Sequence, residues 1–162
     1  MPKFEVQWKA DLEGITNLKP ASKADYDWRF KFQCTKCNEK GDNWVVFTAS
    51  DESEQTGSRG TANLVMKCKF CKAEGSANLE IDTLRALDIE QTGKFTPLVR
   101  LEARGLEPVE WAPSEGFSAE GAESGTKFED IDLSEGDWTE YDEKQNASVE
   151  IMELASQIKK LK

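Results

Sequence analysis

Histidine is absent from all 162 residues, and that absence removes several chemistries at once. No Ser-His-Asp or Cys-His nucleophile can be assembled, and no imidazole is available to ligate a metal. Long apolar runs are missing as well: nothing approaches the roughly 20 residues that a membrane-spanning helix needs. The opening residues, Met-Pro-Lys-Phe-Glu, lack an apolar core of the signal-peptide kind. Cytosol or nucleus is therefore the default compartment, where thiols stay reduced. Gly-rich loops with phosphate-binding spacing are absent, and helical periodicity is scarce. These gaps point away from an enzyme, although Asp137, Asp142 and Glu143 form a carboxylate group that could in principle exchange protons.

The formal net charge is −10, and it is unevenly placed. Residues 1–81 carry 12 Lys plus Arg against 12 Asp plus Glu, whereas residues 82–162 carry 9 against 19. Between Glu102 and Glu153 there are 16 acids and only Arg104, Lys127 and Lys144. Such a field repels a phosphate backbone, so nucleic acid is an unfavoured partner for that half. Ordinary solvation accounts for most acidic surfaces; a docking face for a basic protein is the functional alternative.

Alternating apolar and polar residues dominate what remains, which is the pattern of half-buried strands. Phe4, Val6 and Trp8 alternate with polar neighbours, as do Trp28, Phe30 and Phe32, then Ala77, Leu79 and Ile81, then Val99, Leu101 and Ala103. Trp44 to Phe47 and Leu64 to Met66 are continuous apolar runs, expected as central strands packed on both faces. Residues 51–60 (DESEQTGSRG) and 113–126 (PSEGFSAEGAESGT) read as long surface loops. The chain from Val149 to Leu161 begins by alternating and then places Leu154, Ile158 and Leu161 at helical spacing, so a strand with an irregular or helical tail is expected. The fold class that follows is mainly β: a compact antiparallel sandwich or barrel-like unit with little helix, spanning 1–162 as one unit.

An internal comparison suggests two half-repeats, a cysteine-bearing one over 1–81 and an acidic one over 82–162. Placing Ala77 to Ile81 over Ala147 to Ile151 sets Cys68 and Cys71 opposite Trp138 and Tyr141. A similar offset sets Cys34 opposite Ala103 and Cys37 opposite Leu106, and the loop end Ser58-Arg59-Gly60 near Ser124-Gly125-Thr126. On this alignment packing of Ala103, Leu106, Trp138 and Tyr141 would replace a metal in the second half. Buried aromatics supply enough apolar area for that.

The four cysteines form two Cys-x-x-Cys pairs, Cys34 with Cys37 and Cys68 with Cys71. Two intervening residues let both sulfurs of a tight turn point at one ion about 2.3 Å away. Without histidine the shell must be all thiolate, which suits zinc, with iron a less common occupant. Four cysteines leave no open position for catalytic water, so one structural zinc ion is expected. Two disulfides would need an oxidising compartment, and a thioredoxin-like pair would need a helix after Cys37, where Asn-Glu-Lys-Gly-Asp-Asn makes a turn. Lys36, Lys40, Lys67, Lys69 and Lys72 flank the sulfurs. They would compensate a centre of formal charge −2, or form a basic patch for nucleic acid in which Phe70 is the sole aromatic between the second pair.

Several ordered motifs go further. Residues 59–71 (RGTANLVMKCKFC) are followed by Arg104-Gly105-Leu106-Glu107-Pro108-Val109, then by residues 120–126 (EGAESGT) and 137–143 (DWTEYDE). Over nearly the whole chain this resembles the eukaryotic CXXC-motif-containing zinc-binding protein family. The resemblance implies a mainly β fold, one four-cysteine zinc site at Cys34, Cys37, Cys68 and Cys71, and no established enzymatic activity. One departure is Ala103, where many members have cysteine before the Arg-Gly; it argues against a redox or second-metal role at that position. Arg59, Arg104 and Glu107 lie in Gly-containing turns and could brace them or contact a partner. The expected function is that of a non-catalytic, monomeric zinc protein acting through protein contacts. Zinc transfer and nucleic-acid binding are the alternatives.

Overall fold

Alternation in the sequence becomes strand pairing in space. The computed structural model describes residues 2–41, 43–55 and 60–161. Along the first half run β1 (Lys3–Glu13), β2 (Ile15–Pro20), β3 (Trp28–Cys34), β4 (Val45–Phe47), β5 (Ser53–Glu54), β6 (Thr61–Ala62), β7 (Leu64–Lys67) and β8 (Glu74–Glu80). Two short 3-10 turns, Ile81–Thr83 and Ile89–Gln91, lead to the second half. There follow β9 (Thr96–Arg104), β10 (Leu106–Ala112), β11 (Phe117–Gly121), β12 (Lys127–Ile131), β13 (Trp138–Asp142) and β14 (Ala147–Leu161).

A six-stranded antiparallel sheet runs in the order β13-β14-β1-β9-β8-β7, so its strands are arranged alike on either side of the central β1–β9 pair. Two three-stranded sheets, β10-β3-β4 and β12-β11-β2, complete the main frame, with β5 and β6 forming a small hairpin. The first strand of each half thus continues into a strand that pairs with the other half: β1 into β2, which pairs with β11, and β9 into β10, which pairs with β3. Two glycines make these corners possible. Gly14 and Gly105 have φ of +70° and +78°, a region that costs an ordinary residue steric strain.

Inward residues of the three sheets meet in one aromatic-rich core. Trp8, Trp28, Phe30 and Phe117 are fully enclosed. Trp8 lies 6.0 Å from Trp111 edge to face, and Tyr26 stands 4.8 Å from Trp28 at 83°. Such edge contacts suit the aromatic quadrupole and add to area burial.

Mainly antiparallel β structure agrees with the alternation, but several local expectations change. Trp44–Phe47 and Leu64–Met66 are not central strands: β4 and β7 lie at sheet edges. Trp44 and Val46 stay exposed and Leu64 to Met66 are half-buried, because both strands border a surface groove. The stretch 113–126 is not all loop, since it contains β11. The last segment is strand throughout; a register shift against β1 and a positive φ at Glu153 mark a bulge. One extra residue there switches the inward parity, which is why Leu154 and Ile158 fall off the alternation. Ser58 and Arg59 lie outside the described residues.

Candidate metal centre

Each cysteine pair sits on a hairpin turn of the same construction. In the first, Cys34 N donates to Glu39 O at 3.0 Å and Asn38 N donates to Cys34 O at 2.9 Å. In the second, Cys68 N donates to Ala73 O and Lys72 N donates to Cys68 O, both at 2.8 Å. The residue after each second cysteine is left-handed, Asn38 at φ 63° and Lys72 at φ 66°. This wraps each turn so that its amides face the leading sulfur. The Cys34 thiol is lowered from its ordinary range first by the N–H of Cys37 and then by that of Lys36. Cys71 and Phe70 N–H groups do the same for Cys68, bringing it down to about 7. Cys37 accepts the Glu39 N–H, yet burial and the neighbouring sulfurs outweigh it and push the thiol up to about 12. Four thiols this close resist full ionisation until a cation joins them.

The turns face each other. Cys34 Sγ lies 3.6 Å from Cys71 Sγ, and Cys37 Sγ lies 3.7 Å from Cys68 Sγ. All four sulfurs fall within 4.8 Å of one another. These separations are too long for disulfide bonds of about 2.05 Å. They match the roughly 3.8 Å edges of a tetrahedron with metal–sulfur bonds of about 2.3 Å. The donor set therefore fits a soft tetrahedral dication and leaves no ligand position open. Cys34 is buried and Cys71 is exposed.

What brings the turns together is the corner between β9 and β10. Thr35 N, beside the first cysteine, donates to Gly105 O at 3.2 Å. A Cβ on Gly105 would come within 2.9 Å of Glu74 O, on the strand leaving the second turn. Leu106 lies opposite Cys34 in the β10–β3 ladder and packs over Gly75. The corner thus touches both cysteine hairpins. Beside the sulfurs a groove opens, lined in part by Phe32, Val45, Met66, Phe70 and Leu106. Phe70, Trp44 and Val46 are exposed near it, with Lys31 Nζ 4.7 Å over the Trp44 ring. The five flanking lysines are all exposed.

Other singled-out residues are placed differently. Ala103 pairs with Ala77 inside the sheet and Leu106 with Cys34. Trp138 packs edge-on against Phe128 at 5.5 Å, and Tyr141 is exposed. Trp138–Asp142 is a strand, so Trp138 and Tyr141 do not occupy a turn equivalent to Cys68 and Cys71, and the alignment by a shift of 70 fails there. Glu107 pairs with Lys160 at 3.2 Å rather than with Arg104. Asp137 and Glu143 are exposed, whereas Asp142 is fully buried.

Of the three acids singled out in the sequence, Asp142 is the one whose burial sequence reasoning missed. Burial alone would raise its pKa, but donors overcome that and hold the carboxyl far below the usual range: Gln145, Ser124 and Thr126 side chains with backbone N–H groups. Its two oxygens are taken up by these donors rather than turned to solvent. The available signal was spacing: Gly121-x-x-Ser124-Gly125 and Asp142-x-x-Gln145-Asn146 repeat the two-residue gap of the cysteine pairs, each followed by a residue tolerant of left-handed backbone.

Fold and centre together define a zinc-binding class. The model of the family "CXXC motif containing zinc binding protein, eukaryotic" matches residues 5–159, and the chain belongs to that family. The human CXXC motif containing zinc binding protein is 44% identical over 160 residues, covering 99% of each chain. The crystal structure of C1orf123 superposes with a TM-score of 0.93 at 44% identity, covering 98% of this chain and 99% of the other. A hypothetical protein from Plasmodium falciparum gives a TM-score of 0.87 at 25% identity, covering 98% and 100%. No helix among the described residues is long and apolar enough to cross a membrane.

Proposed function

We propose that this chain is a non-catalytic protein whose Cys34, Cys37, Cys68 and Cys71 hold one zinc ion in a closed tetrahedral shell, and that it acts through protein contacts. The observation that carries the metal reading is the convergence of four sulfurs with opposed pairs at 3.6 and 3.7 Å. Apparent binding energies for structural zinc run to about 10–16 kcal/mol, comparable with the whole stability of a domain. Zinc would therefore hold the 34–39 and 68–73 turns against the β9–β10 corner. The exposed Phe70, on the second cysteine turn, would depend on the metal for its arrangement, while the acidic second half offers a separate face for basic proteins.

The test combines metal analysis with capture. Purified protein should carry one zinc per chain, and verified zinc removal or Cys68→Ser should unfold or aggregate it. An unchanged melting temperature after zinc removal would defeat the structural role. Pull-down with intact and chelated protein then asks whether partners require the metal, with low-salt filter binding of RNA and DNA alongside. The exposure of Cys71 favours one second reading, metal transfer, because an incoming thiol could reach the shell there. Rapid loss of zinc to a mild chelator followed by full refolding on its return would support transfer over a static staple.

A further inference from the structure

The metal-free end of the molecule contains a centre of the same build as the four cysteines. Two hairpin turns face each other there, one between β11 and β12 and the other between β13 and β14. In the first, Gly121 N donates to Thr126 O at 2.7 Å and Gly125 N to Gly121 O at 2.9 Å. These are the two bonds, at the same spacings, that close the cysteine turns. In the second, Asp142 pairs with Ala147 across the hairpin. The fifth residue of each turn is left-handed, Gly125 at φ 73° and Asn146 at φ 56°, as Asn38 and Lys72 are. A further contact also matches: Ala122 N donates to the Gly14 carbonyl at 2.9 Å, as Thr35 N donates to Gly105. Gly14 and Gly105 are both left-handed corner glycines.

By position, Gly121 and Ser124 stand where Cys34 and Cys37 stand, and Asp142 and Gln145 where Cys68 and Cys71 stand. Their side chains converge in the same way. Ser124 Oγ and Gln145 Nε2 both donate to Asp142 Oδ2. Thr126 Oγ1 donates to Asp142 Oδ1 at 2.8 Å and Lys144 N to the same oxygen at 3.0 Å. A Cβ built on Gly121 would collide with Ser124 Oγ and Asp142 Oδ2 and would lie 2.8 Å from Gln145 Nε2. All four positions therefore point into one small volume, which the Asp142 carboxylate fills.

We infer that Gly121, Ser124, Asp142 and Gln145 form a second centre on a pair of turns of the same build, in which a buried carboxylate and its donors hold two turns together as a metal ion would. In the cysteine centre four thiolates would surround a cation; here neutral donors surround an anion. The polarity is reversed and the turn geometry is kept. The native residues are not themselves a metal site, because the carboxylate oxygens are taken by hydrogen-bond donors. The turn backbones, however, are those of a four-cysteine shell, so thiolates at these positions should accept a soft dication such as zinc or cobalt. The inference rests on turn geometry and not on zinc occupancy at the first centre.

The decisive experiment is the full-length variant Gly121→Cys, Ser124→Cys, Asp142→Cys, Gln145→Cys, titrated with cobalt and read by thiolate-to-cobalt absorption. The unmodified chain reports the first centre alone, so failure there counts against the zinc reading and not against this one. The variant should bind one more equivalent of cobalt than the unmodified chain. A folded variant with no additional equivalent, or one that cannot fold even with excess zinc, overturns the inference. A second measurement avoids the redesign. In Asp142→Asn, hydrogen exchange at Gly121 and Gly125 should accelerate together with Lys144 and Gln145, by about tenfold for each 1.4 kcal/mol of lost local protection. The Asn38 and Lys72 amides should not change. Acceleration confined to residues 142–147 would show that the carboxylate does not couple the two turns, and would overturn the inference.

Discussion

Replacing Gly75 by alanine should destabilise the fold mainly through its contact with Leu106. The new Cβ would lie 2.7 Å from Leu106 Cδ2, 2.9 Å from Leu106 Cγ and 3.1 Å from Arg104 O. Carbon atoms prefer separations of about 3.5–4.0 Å, so strand β8 or the leucine must move by most of an ångström. Overpacking of this kind costs about 1–3 kcal/mol. Loss of glycine's freedom in the unfolded chain returns about 0.4–1 kcal/mol, leaving a net cost of about 0–2.6 kcal/mol, which the 2.7 Å approach to Leu106 places in the upper half, at about 1–2 kcal/mol. Leu106→Ala should cost about 2–3 kcal/mol, toward the low end for a buried leucine because the side chain borders a groove. In the double variant the Gly75→Ala methyl enters space that Leu106 has vacated. Its cost should stay near that of Leu106→Ala alone, a coupling of about 1–2 kcal/mol between the two sites. Urea unfolding of the four proteins with zinc in excess measures this directly. Simple additivity, or a neutral Gly75→Ala, would refute the claim that Leu106 wedges the β9–β10 corner against the second cysteine hairpin.

Two further outcomes follow from buried carboxylates. Glu5 is buried, and although burial pushes its pKa up, hydrogen bonds from Gln7 and Arg100 bring it below the usual value. Arg100→Ala should therefore cost about 1–2 kcal/mol at pH 7, and the difference from the unmodified protein should shrink below about pH 4.5, where Glu5 protonates in the unfolded chain. A difference that is constant between pH 7 and pH 3 would contradict the pairing. Asp142 behaves alike with more donors. Its folded pKa is depressed, so the stability it contributes is complete above the ordinary value of 3.8 and is lost as pH falls toward the folded value. Asp142→Asn should have a lower urea midpoint than the unmodified protein at pH 7, and the gap should close only below about pH 4.

The alternating segments became β1, β3, β8 and β9 because period two follows from strand geometry itself. Edge and central positions are different, since they depend on which strands arrive alongside. Val45–Phe47 and Leu64–Met66 have central-strand composition, yet their outer sides meet solvent and a groove. The bulge at Glu153 shows the same limit from within one strand. A single inserted residue, defined only against β1, turned a strand pattern into an apparent helical one.

The candidate metal centre lay open to reading because its chemistry is local. Two Cys-x-x-Cys turns in a chain without histidine define a four-thiolate donor set before any fold is known, and an ordinary turn suffices to aim each pair. What only the tertiary structure decided is how the turns are brought face to face, by the Gly105 corner and the Leu106 wedge. It also decided that a second pair of turns, 121–126 and 142–147, meets around Asp142. Their two-residue gaps repeat those of the cysteine pairs, but aspartate, serine, glycine and glutamine are common surface residues, so the spacing alone does not show that they are buried together. A carboxylate becomes a structural centre only when distant strands carry its donors to it and exclude water, and that arrangement exists only in the folded chain.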